Sequence, residues 1–152
     1  MSQREWMPHV TVATIVFNDG KYLMVEEIRE GRKVLNQPAG HVERRESLPQ
    51  AAVRETLEET GWEVELEAVL GASLFSNPVT GDAYYRTSFL ALPMRFHPDM
   101  QLDEGILGSV WLSYEELIER SEQLRSESVM ATIEQHRSGR RFALDFFYPE
   151  VL

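Results

Sequence analysis

The sequence predicts an α/β protein in which three helices cover the faces of a mixed, partly antiparallel sheet, giving an α/β/α sandwich. Runs of β-branched and aromatic residues, separated by turn formers, predict consecutive hairpins. Segments that begin with capping sequences predict the helices. The chain has 152 residues, 43% of them hydrophobic, which suits one domain over residues 1–152 with the aromatic tail 141–152 docked on it.

The first strands flank a tight turn. His9 to Phe17 and Lys21 to Ile28 are apolar and β-branched, and the intervening Asn18-Asp19-Gly20 suits a two-residue hairpin. Lys33 to Gln37 predicts a third, shorter strand. Pro38-Ala39-Gly40 is expected to end it, because proline lacks the N–H that a strand ladder needs.

The segment from Ser47 to Thr60 predicts the clearest helix. Ser47 and Gln50 form an S-x-x-Q capping box, and Pro49 lies in the first turn, where a missing N–H costs nothing. Gly61 suits the left-handed position at which helices commonly end. Both ends of this helix are therefore marked in the sequence.

The second half of the chain predicts further strands and two helices. Glu63 to Phe75 and Ala83 to Leu92 favour long strands, and Val110 to Leu112 favours a short, buried last strand. Ser113-x-x-Glu116 is a second capping box and predicts a helix to about Ser121. Another helix is expected from Glu127 to Ser138.

Composition disfavours several classes of protein. The net charge of −10 argues against attraction to nucleic acid or anionic membranes, so a phosphorylated small-molecule substrate would need bound cations. There are no cysteines, which excludes disulfides and thiolate metal sites. No apolar run approaches the roughly 20 residues of a membrane span, and the first ten residues lack the apolar core of a secretory signal. We therefore expect a cytoplasmic protein, a monomer or a homodimer.

Three carboxylates share one face of the first helix. At about 100° per residue, Glu55, Glu58 and Glu59 lie at roughly 0°, 300° and 40° around the axis. Like charges at this spacing destabilise a helix, which suggests a cation bound there. Oxygen ligands favour Mg²⁺, with Mn²⁺ as a substitute. Taken alone, the cluster also fits a solvated acidic helix face.

A wider pattern includes this helix. Gly40, then Glu46 after five residues, then Arg54-Glu55-Thr56-Leu57-Glu58-Glu59-Thr60-Gly61-Trp62 after seven more, resemble the Nudix box G-x5-E-x7-R-E-U-x-E-E-x-G-U. At average residue frequencies the chance of such a match is on the order of 10⁻⁶. The resemblance implies the Nudix fold, with the box as a loop–helix–loop metal site. Thr56 stands where a larger aliphatic residue is usual, which affects packing more than chemistry.

The resemblance also implies residue roles. Glu55 would be a ligand or the general base, and Arg54 would orient the carboxylates through charge-assisted hydrogen bonds, although a plain helix ion pair fits Arg54 equally well. The catalytic set would then be Glu55, Arg54 and Glu58. The metal set would be Glu55, Glu58, Glu59, Glu46 as an outer ligand through water, and the carbonyl of Gly40.

Three shorter stretches resemble one group of Nudix phosphatases: Pro8 to Ala13, Asn36 to His41, and Ser138 to Arg141. That group releases phosphate from nucleoside di- and triphosphates and from the pyrimidine diphosphate precursor of thiamine. A MutT-type hydrolase of oxidised nucleotides is the alternative within the family. A non-catalytic nucleotide-binding module is the alternative of another class, and the complete acidic helix argues against it. RNA decapping is disfavoured by the net charge.

One family position departs from the pattern. Nudix enzymes often carry an acidic residue directly before an Ile that lies five residues ahead of a Trp, and here Gly105 occupies that place before Ile106. Asp103 or Glu104 must substitute, or the helix supplies the base. We expect Glu55 to carry more of the base role than either loop acid.

The substrate-binding residues are less determined. Arg29, Arg32 and Lys33 flank the loop before the box and are candidates for contacts with terminal phosphates. Phe75, Tyr84 and Tyr85 are candidates for stacking on a base. Each of these residues also fits an ordinary surface or core position. His41, beside the box glycine, is the histidine most worth testing.

Overall fold

The computed structural model describes residues 5–148. Within that range the chain forms seven strands and three α-helices, together with two short 3₁₀ turns. In chain order these are β1 (His9–Asn18), β2 (Lys21–Arg29), β3 (Arg32–Asn36), β4 (Ala39–His41), α1 (Leu48–Thr60), β5 (Trp62–Ser76), β6 (Ala83–Phe96), β7 (Ile106–Ser113), α2 (Tyr114–Glu119) and α3 (Glu127–Arg137).

The sheet is mixed, as predicted. The strand order is β3-β2-β1-β6-β5, with β7 paired to β2 and β4 paired to β1. Strand β1 runs parallel to β6, and the other pairs are antiparallel. The β1–β2 hairpin turns at Asp19 and Gly20, both with positive φ, which is the geometry of a two-residue turn.

Strand β4 corrects the expectation that the chain leaves the sheet after β3. The third strand does end at Asn36, but Ala39–His41 pairs antiparallel with β1. The Pro38 carbonyl accepts a hydrogen bond from the Thr14 N–H at 2.9 Å, so the chain changes partner strand at the proline. The residues after it have their own N–H groups and form a new ladder. This exchange places Gly40 in a strand at the edge of the site.

Helix α1 has the ends that the sequence predicts. Ser47 and Gln50 make both hydrogen bonds of the capping box, and Gly61 adopts the left-handed conformation with φ 76°. Thr56 is fully buried, and its hydroxyl donates to the Ala52 carbonyl at 2.7 Å. The polar group at this unusual position is therefore satisfied within the helix.

The helices lie on both faces of the sheet. Ala51 and Ala52 of α1 pack on one face against Val12 and Phe89. Helices α2 and α3 cover the other face through a larger core. That core contains Ile15, Tyr22, Met24, Leu35, Leu70, Leu90, Leu117, Val129 and Ile133. The α/β/α sandwich expected from the sequence is confirmed.

Several elements differ in length from their predictions. Strand β7 begins at Ile106 rather than Val110, and β6 continues to Phe96. Backbone pairing with β2 extends β7 past Gly108, a residue that strand propensity disfavours. Helix α2 ends at Glu119, and a separate 3₁₀ turn over Ser121–Gln123 follows it.

The described part of the tail contacts the sheet. Val69 and Phe142 exchange two backbone hydrogen bonds, at 2.8 and 2.9 Å. The Phe147 ring lies 5.8 Å from that of Phe89, on the α1 face. Residues 149–152, also expected to dock, lie outside the described residues. Among residues 5–148, no helix has the length and apolarity needed to cross a membrane.

Candidate active site

Two helix carboxylates and one loop carboxylate meet beside α1. Oxygen atoms of Glu55, Glu58 and Asp103 all lie within 4.8 Å of one another. The Asp103 N–H donates to the Glu58 carbonyl at 3.2 Å, which fixes the loop against the helix. Converging carboxylate oxygens are the ligands that Mg²⁺ and Mn²⁺ prefer, so the donor set fits such an ion.

Asp103 therefore takes part in the cluster although Gly105 occupies the usual acidic position. Gly105 has a φ of 84°, and the chain turns between Asp103 and Ile106, whose N–H donates to the Asp103 carbonyl at 3.1 Å. This turn brings a carboxylate from two residues earlier to the helix. Glu104 is exposed and does not belong to the three-residue cluster.

Arg54 connects the acidic residues of the box. Its Nε and Nη2 donate to the two oxygens of Glu46 at 2.6 and 2.8 Å. Its Nη1 donates to Glu55 at 2.9 Å and to Glu58 at 3.1 Å. The Arg54 guanidinium also reaches the His41 carbonyl at 3.0 Å. One planar group thus orients three carboxylates and joins the helix to the loop that follows Gly40.

The box acids have different electrostatic environments. The hydrogen bond from Arg54 lowers the pKa of Glu46. Burial raises the pKa of Glu55, against the lowering effect of Arg54. Glu46 therefore stays ionised on its arginine, whereas Glu55 has the stronger affinity for a proton.

Glu59 lies deeper than the other helix acids. It is 7% exposed, and one of its oxygens accepts a hydrogen bond from the Ala39 N–H at 2.8 Å. Burial, together with the nearby carboxylates of Glu55, Glu27 and Asp103, raises the pKa of Glu59 to about 8. A buried carboxyl without a cationic partner favours its neutral form until a cation arrives.

Gly40 leaves room for Glu55. A side chain at position 40 would overlap the carboxyl group of Glu55, while the backbone φ at Gly40 is outside the left-handed range. The glycine is therefore required by close approach and not by backbone conformation. The close approach of Gly40 to Glu55 depends on the change of partner strand at Pro38.

The aromatic candidates form a row across the sheet. Tyr84 stacks on Phe75 at 5.5 Å and on His9 at 4.8 Å, and His9 meets His41 edge to face at 5.1 Å. Phe75 and His9 are on the two strands that flank Tyr84, so neighbouring rings occupy both faces of the tyrosine. Tyr85 points to the opposite face of the sheet and is 44% exposed.

Two of the three basic candidates, Arg29 and Lys33, are engaged in ion pairs. Lys33 pairs with Glu26 at 2.5 Å, and Arg29 lies 3.6 Å from Glu27. Burial lowers the pKa of His41, with a smaller effect from His9, whose Nδ1 lies 3.0 Å from His41 Nε2. His41 is thus a neutral hydrogen-bonding group near neutral pH. It follows Gly40 directly in strand β4.

Some polar residues near the site were missed by the sequence analysis. Glu27 is 4% exposed and accepts a hydrogen bond from Arg125 Nη1 at 3.3 Å. It lies close enough to Glu59 to raise the pKa of Glu59. Gln37 and Arg86 are buried and bonded to each other at 2.8 Å. The sequence signal that could have identified Glu27 and Arg86 is a charged residue within an apolar strand pattern, because charged side chains are seldom buried unless they have a partner.

Comparison with known proteins agrees with the fold. The family model for the NUDIX domain matches residues 7–132. Phosphatase NudJ of Escherichia coli strain K12 is 37% identical over 146 residues, covering 93% of this chain and 94% of that protein, and the Shigella flexneri phosphatase NudJ gives the same values. A solved NUDIX hydrolase from Nitrosomonas europaea superposes with a TM-score of 0.92 at 40% identity, covering 95% and 98% of the two chains. This chain therefore belongs to the Nudix hydrolases, enzymes that act on phosphoric anhydrides.

Proposed function

We propose that this protein hydrolyses the diphosphate linkage of a small, nucleotide-like substrate with the help of Mg²⁺ or Mn²⁺, and releases inorganic phosphate. The observation that carries the proposal is the convergence of the oxygens of Glu55, Glu58 and Asp103 within 4.8 Å of one another. Nucleoside di- and triphosphates and hydroxymethylpyrimidine diphosphate are the substrates we expect. The Escherichia coli and Shigella flexneri relatives are phosphatases by name, which supports release of phosphate.

The ligands proposed for the cation are Glu55, Glu58 and Asp103, with Glu59, the Gly40 carbonyl and, through water, Glu46 around them. A divalent cation bound there supplies charge neutralisation on the phosphate oxygens and lowers the pKa of the attacking water. Arg54 keeps the carboxylates in place because it donates to Glu46, Glu55 and Glu58 at once. The raised pKa of Glu59 implies that it releases a proton when a cation binds.

Glu55 is the proposed general base. It lies at the centre of the cluster, next to Gly40 and Glu58, and burial raises its pKa above that of an ordinary glutamate. A carboxylate with a raised pKa takes a proton from water more readily. Arg54, hydrogen-bonded to the same carboxylate, opposes this rise in the pKa of Glu55 and favours its ionised form.

Product analysis in labelled water tests the proposal. The enzyme is incubated with Mg²⁺ in H₂¹⁸O with a nucleoside triphosphate, a nucleoside diphosphate or hydroxymethylpyrimidine diphosphate. We expect ¹⁸O in inorganic phosphate as the first product. Label in a nucleoside monophosphate, with pyrophosphate released, would instead support the MutT-type alternative. Binding of these compounds without any turnover would support the non-catalytic module.

A further inference from the structure

Arg86 is a buried cation that the hydrolytic cluster does not use. It lies on β6, on the sheet face covered by α3, and is 7% exposed. Its Nη1 donates to Ser128 Oγ at 3.1 Å and its Nη2 to Gln37 Oε1 at 2.8 Å. The Nε–H is buried and has no hydrogen-bond partner in the part of the chain that the structure describes. An unsatisfied buried donor of this kind costs stability and calls for an acceptor.

The charge of Arg86 is also uncompensated. Over residues 5–148, no carboxylate lies within ion-pair distance of its guanidinium. Burial, together with the positive charge of Arg125, lowers the pKa of Arg86 to about 10. A guanidinium buried without an anion destabilises the folded state. The missing partner is therefore expected to come from a ligand.

The start of α3 adds further donors beside Arg86. Ser128 lies in the first turn of the helix, and its hydroxyl is 2.6 Å from that of Ser126. The side chain of Ser126, the N-cap residue, makes no capping hydrogen bond to the first amides of α3. The positive end of the helix dipole favours an anion at this place. Gln37 is completely buried, and its donation to the Val129 carbonyl at 2.6 Å fixes it between Arg86 and the helix.

Arg86 lies two strands from the strand that carries Gly40 and His41. Thr11 of β1 is paired with His41 on one side and with Arg86 on the other, so the three side chains share one face of the sheet. Two strand spacings separate His41 from Arg86, about 10 Å between Cα atoms. Gly40, beside Glu55 of the acidic cluster, directly precedes His41 in the same strand and faces the other side of the sheet. A substrate held at both places therefore passes the edge of β4.

We propose that Arg86, together with Ser128 and the first turn of α3, binds a phosphoryl oxyanion of the substrate other than the one that is attacked. Gln37 is a positioning residue, because it holds the Arg86 guanidinium and is held by Val129. This assignment rests on the proposed hydrolytic function, but its binding step requires neither a divalent cation nor turnover.

Binding of inorganic phosphate in EDTA, at constant ionic strength, tests the pocket separately from catalysis. The wild-type protein should gain thermal stability as phosphate is added, and calorimetry should give a dissociation constant. In Arg86→Met the constant should weaken at least about tenfold, because the charged partner of the anion is lost. Without phosphate, Arg86→Met should melt no lower than wild type, since it removes an uncompensated buried charge. A wild type that shows no response to phosphate, or an Arg86→Met protein that responds equally, would overturn the proposal.

Two further variants complete the experiment. Ser128→Ala removes a half-buried hydroxyl from the first turn and should weaken phosphate binding about threefold or more while preserving the fold, which keeps the proposal testable if Arg86→Met folds poorly. Arg95→Met makes the same substitution at an exposed position of the same strand. It should bind phosphate as the wild type does, and equal weakening there would show a general charge effect and contradict the pocket.

A kinetic measurement links the pocket to the substrate. On the nucleotide that is cut, Arg86→Met should raise KM at least about tenfold while kcat changes less than about threefold, the pattern for lost uniform binding. Unchanged KM with weakened phosphate binding would assign the pocket to free phosphate and overturn the substrate part of the proposal. Phosphate binding through Arg86 in a protein that hydrolyses none of the tested compounds would sink only the proposed function.

Discussion

The carboxyl group of Glu55 occupies the space where a side chain at Gly40 would lie. These residues are on different elements, β4 and α1, and their close approach depends on the change of partner strand at Pro38. Gly40 is therefore required by its contact with Glu55 and not by its backbone torsion angles. The relationship explains in physical terms why the box begins with glycine, and it gives the first prediction.

Gly40→Ala should lower kcat by about 10²-fold while changing the melting temperature little. The added methyl group displaces the Glu55 carboxylate, but alanine accepts the backbone conformation at this position. In the Gly40→Ala background, Glu55→Gln should cost little further activity, because both substitutions disable the same group. Additive losses in steady-state kinetics would show that Gly40 acts through something other than Glu55.

Arg54→Lys should lower kcat at least about tenfold and reduce stability by about 1 kcal/mol or more. Lysine keeps the charge but does not reproduce the two parallel hydrogen bonds to Glu46 or reach Glu55 and Glu58 at the same time. Kinetics and denaturant unfolding measure the two effects. Arg44→Lys, at an exposed position in the preceding loop, is the matched control and should behave as the wild type. Wild-type activity in Arg54→Lys would reduce its role to charge alone.

Glu59→Gln should stabilise the metal-free protein, with the gain growing as pH rises. Burial raises the pKa of Glu59 from 4.5 to about 8, so the folded state binds more protons than the unfolded state across that window. Stability conferred by the proton is therefore lost as pH rises through the folded value. At pH 8 in EDTA we expect the free energy of unfolding of Glu59→Gln to exceed that of the wild type by about 1 kcal/mol or more, as measured by equilibrium unfolding.

The same comparison contains its own check. Glutamine retains the oxygen that accepts from the Ala39 N–H, so the hydrogen bond at 2.8 Å survives the substitution. Between pH 5 and 8 the wild-type stability should fall relative to that of the variant. A Glu59→Gln protein that is destabilised at every pH would assign a structural role to the charged carboxylate.

Glu55→Gln should lower kcat by about 10²-fold or more at saturating Mg²⁺, within the usual range for a general base. Asp103→Asn should cost less than about tenfold under those conditions and should mainly raise the Mg²⁺ concentration needed, because Asp103 belongs to the cluster as a proposed ligand. Glu104→Gln, on the adjacent exposed residue, is the control and should have little effect. If Asp103→Asn were the more damaging change at saturating metal, the base would lie on the loop.

Much of the fold follows from local signals in the sequence. The Asp19-Gly20 turn and the two capping boxes, at Ser47 and Ser113, formed as expected because their hydrogen bonds are made between residues close in the chain. Strand β4 was not predicted, because its pairing with β1 depends on contacts far along the chain that no local pattern records.

The residues of the site also fall into those that local sequence patterns predict and those that only the folded chain brings together. Glu55 and Glu58 were found because helical spacing alone places them on one face. Asp103 was left open beside Glu104, since only the turn at Gly105 decides which loop acid reaches the helix. Arg86 and Gln37 were absent from the candidates, because two side chains 49 positions apart are brought together by the sheet and by α3.

Hydrolysis measured with and without a divalent cation tests the central claim most directly. On the best substrate of the panel, the wild-type protein should need Mg²⁺ or Mn²⁺ and lose activity in EDTA, and Glu58→Gln should lower kcat by at least about 10²-fold, as removal of a charged metal ligand does. Glu119→Gln, on the last residue of α2 and exposed, should retain wild-type kinetics. Full activity in EDTA, or in Glu58→Gln with Mg²⁺ present, would contradict a cation held by this cluster.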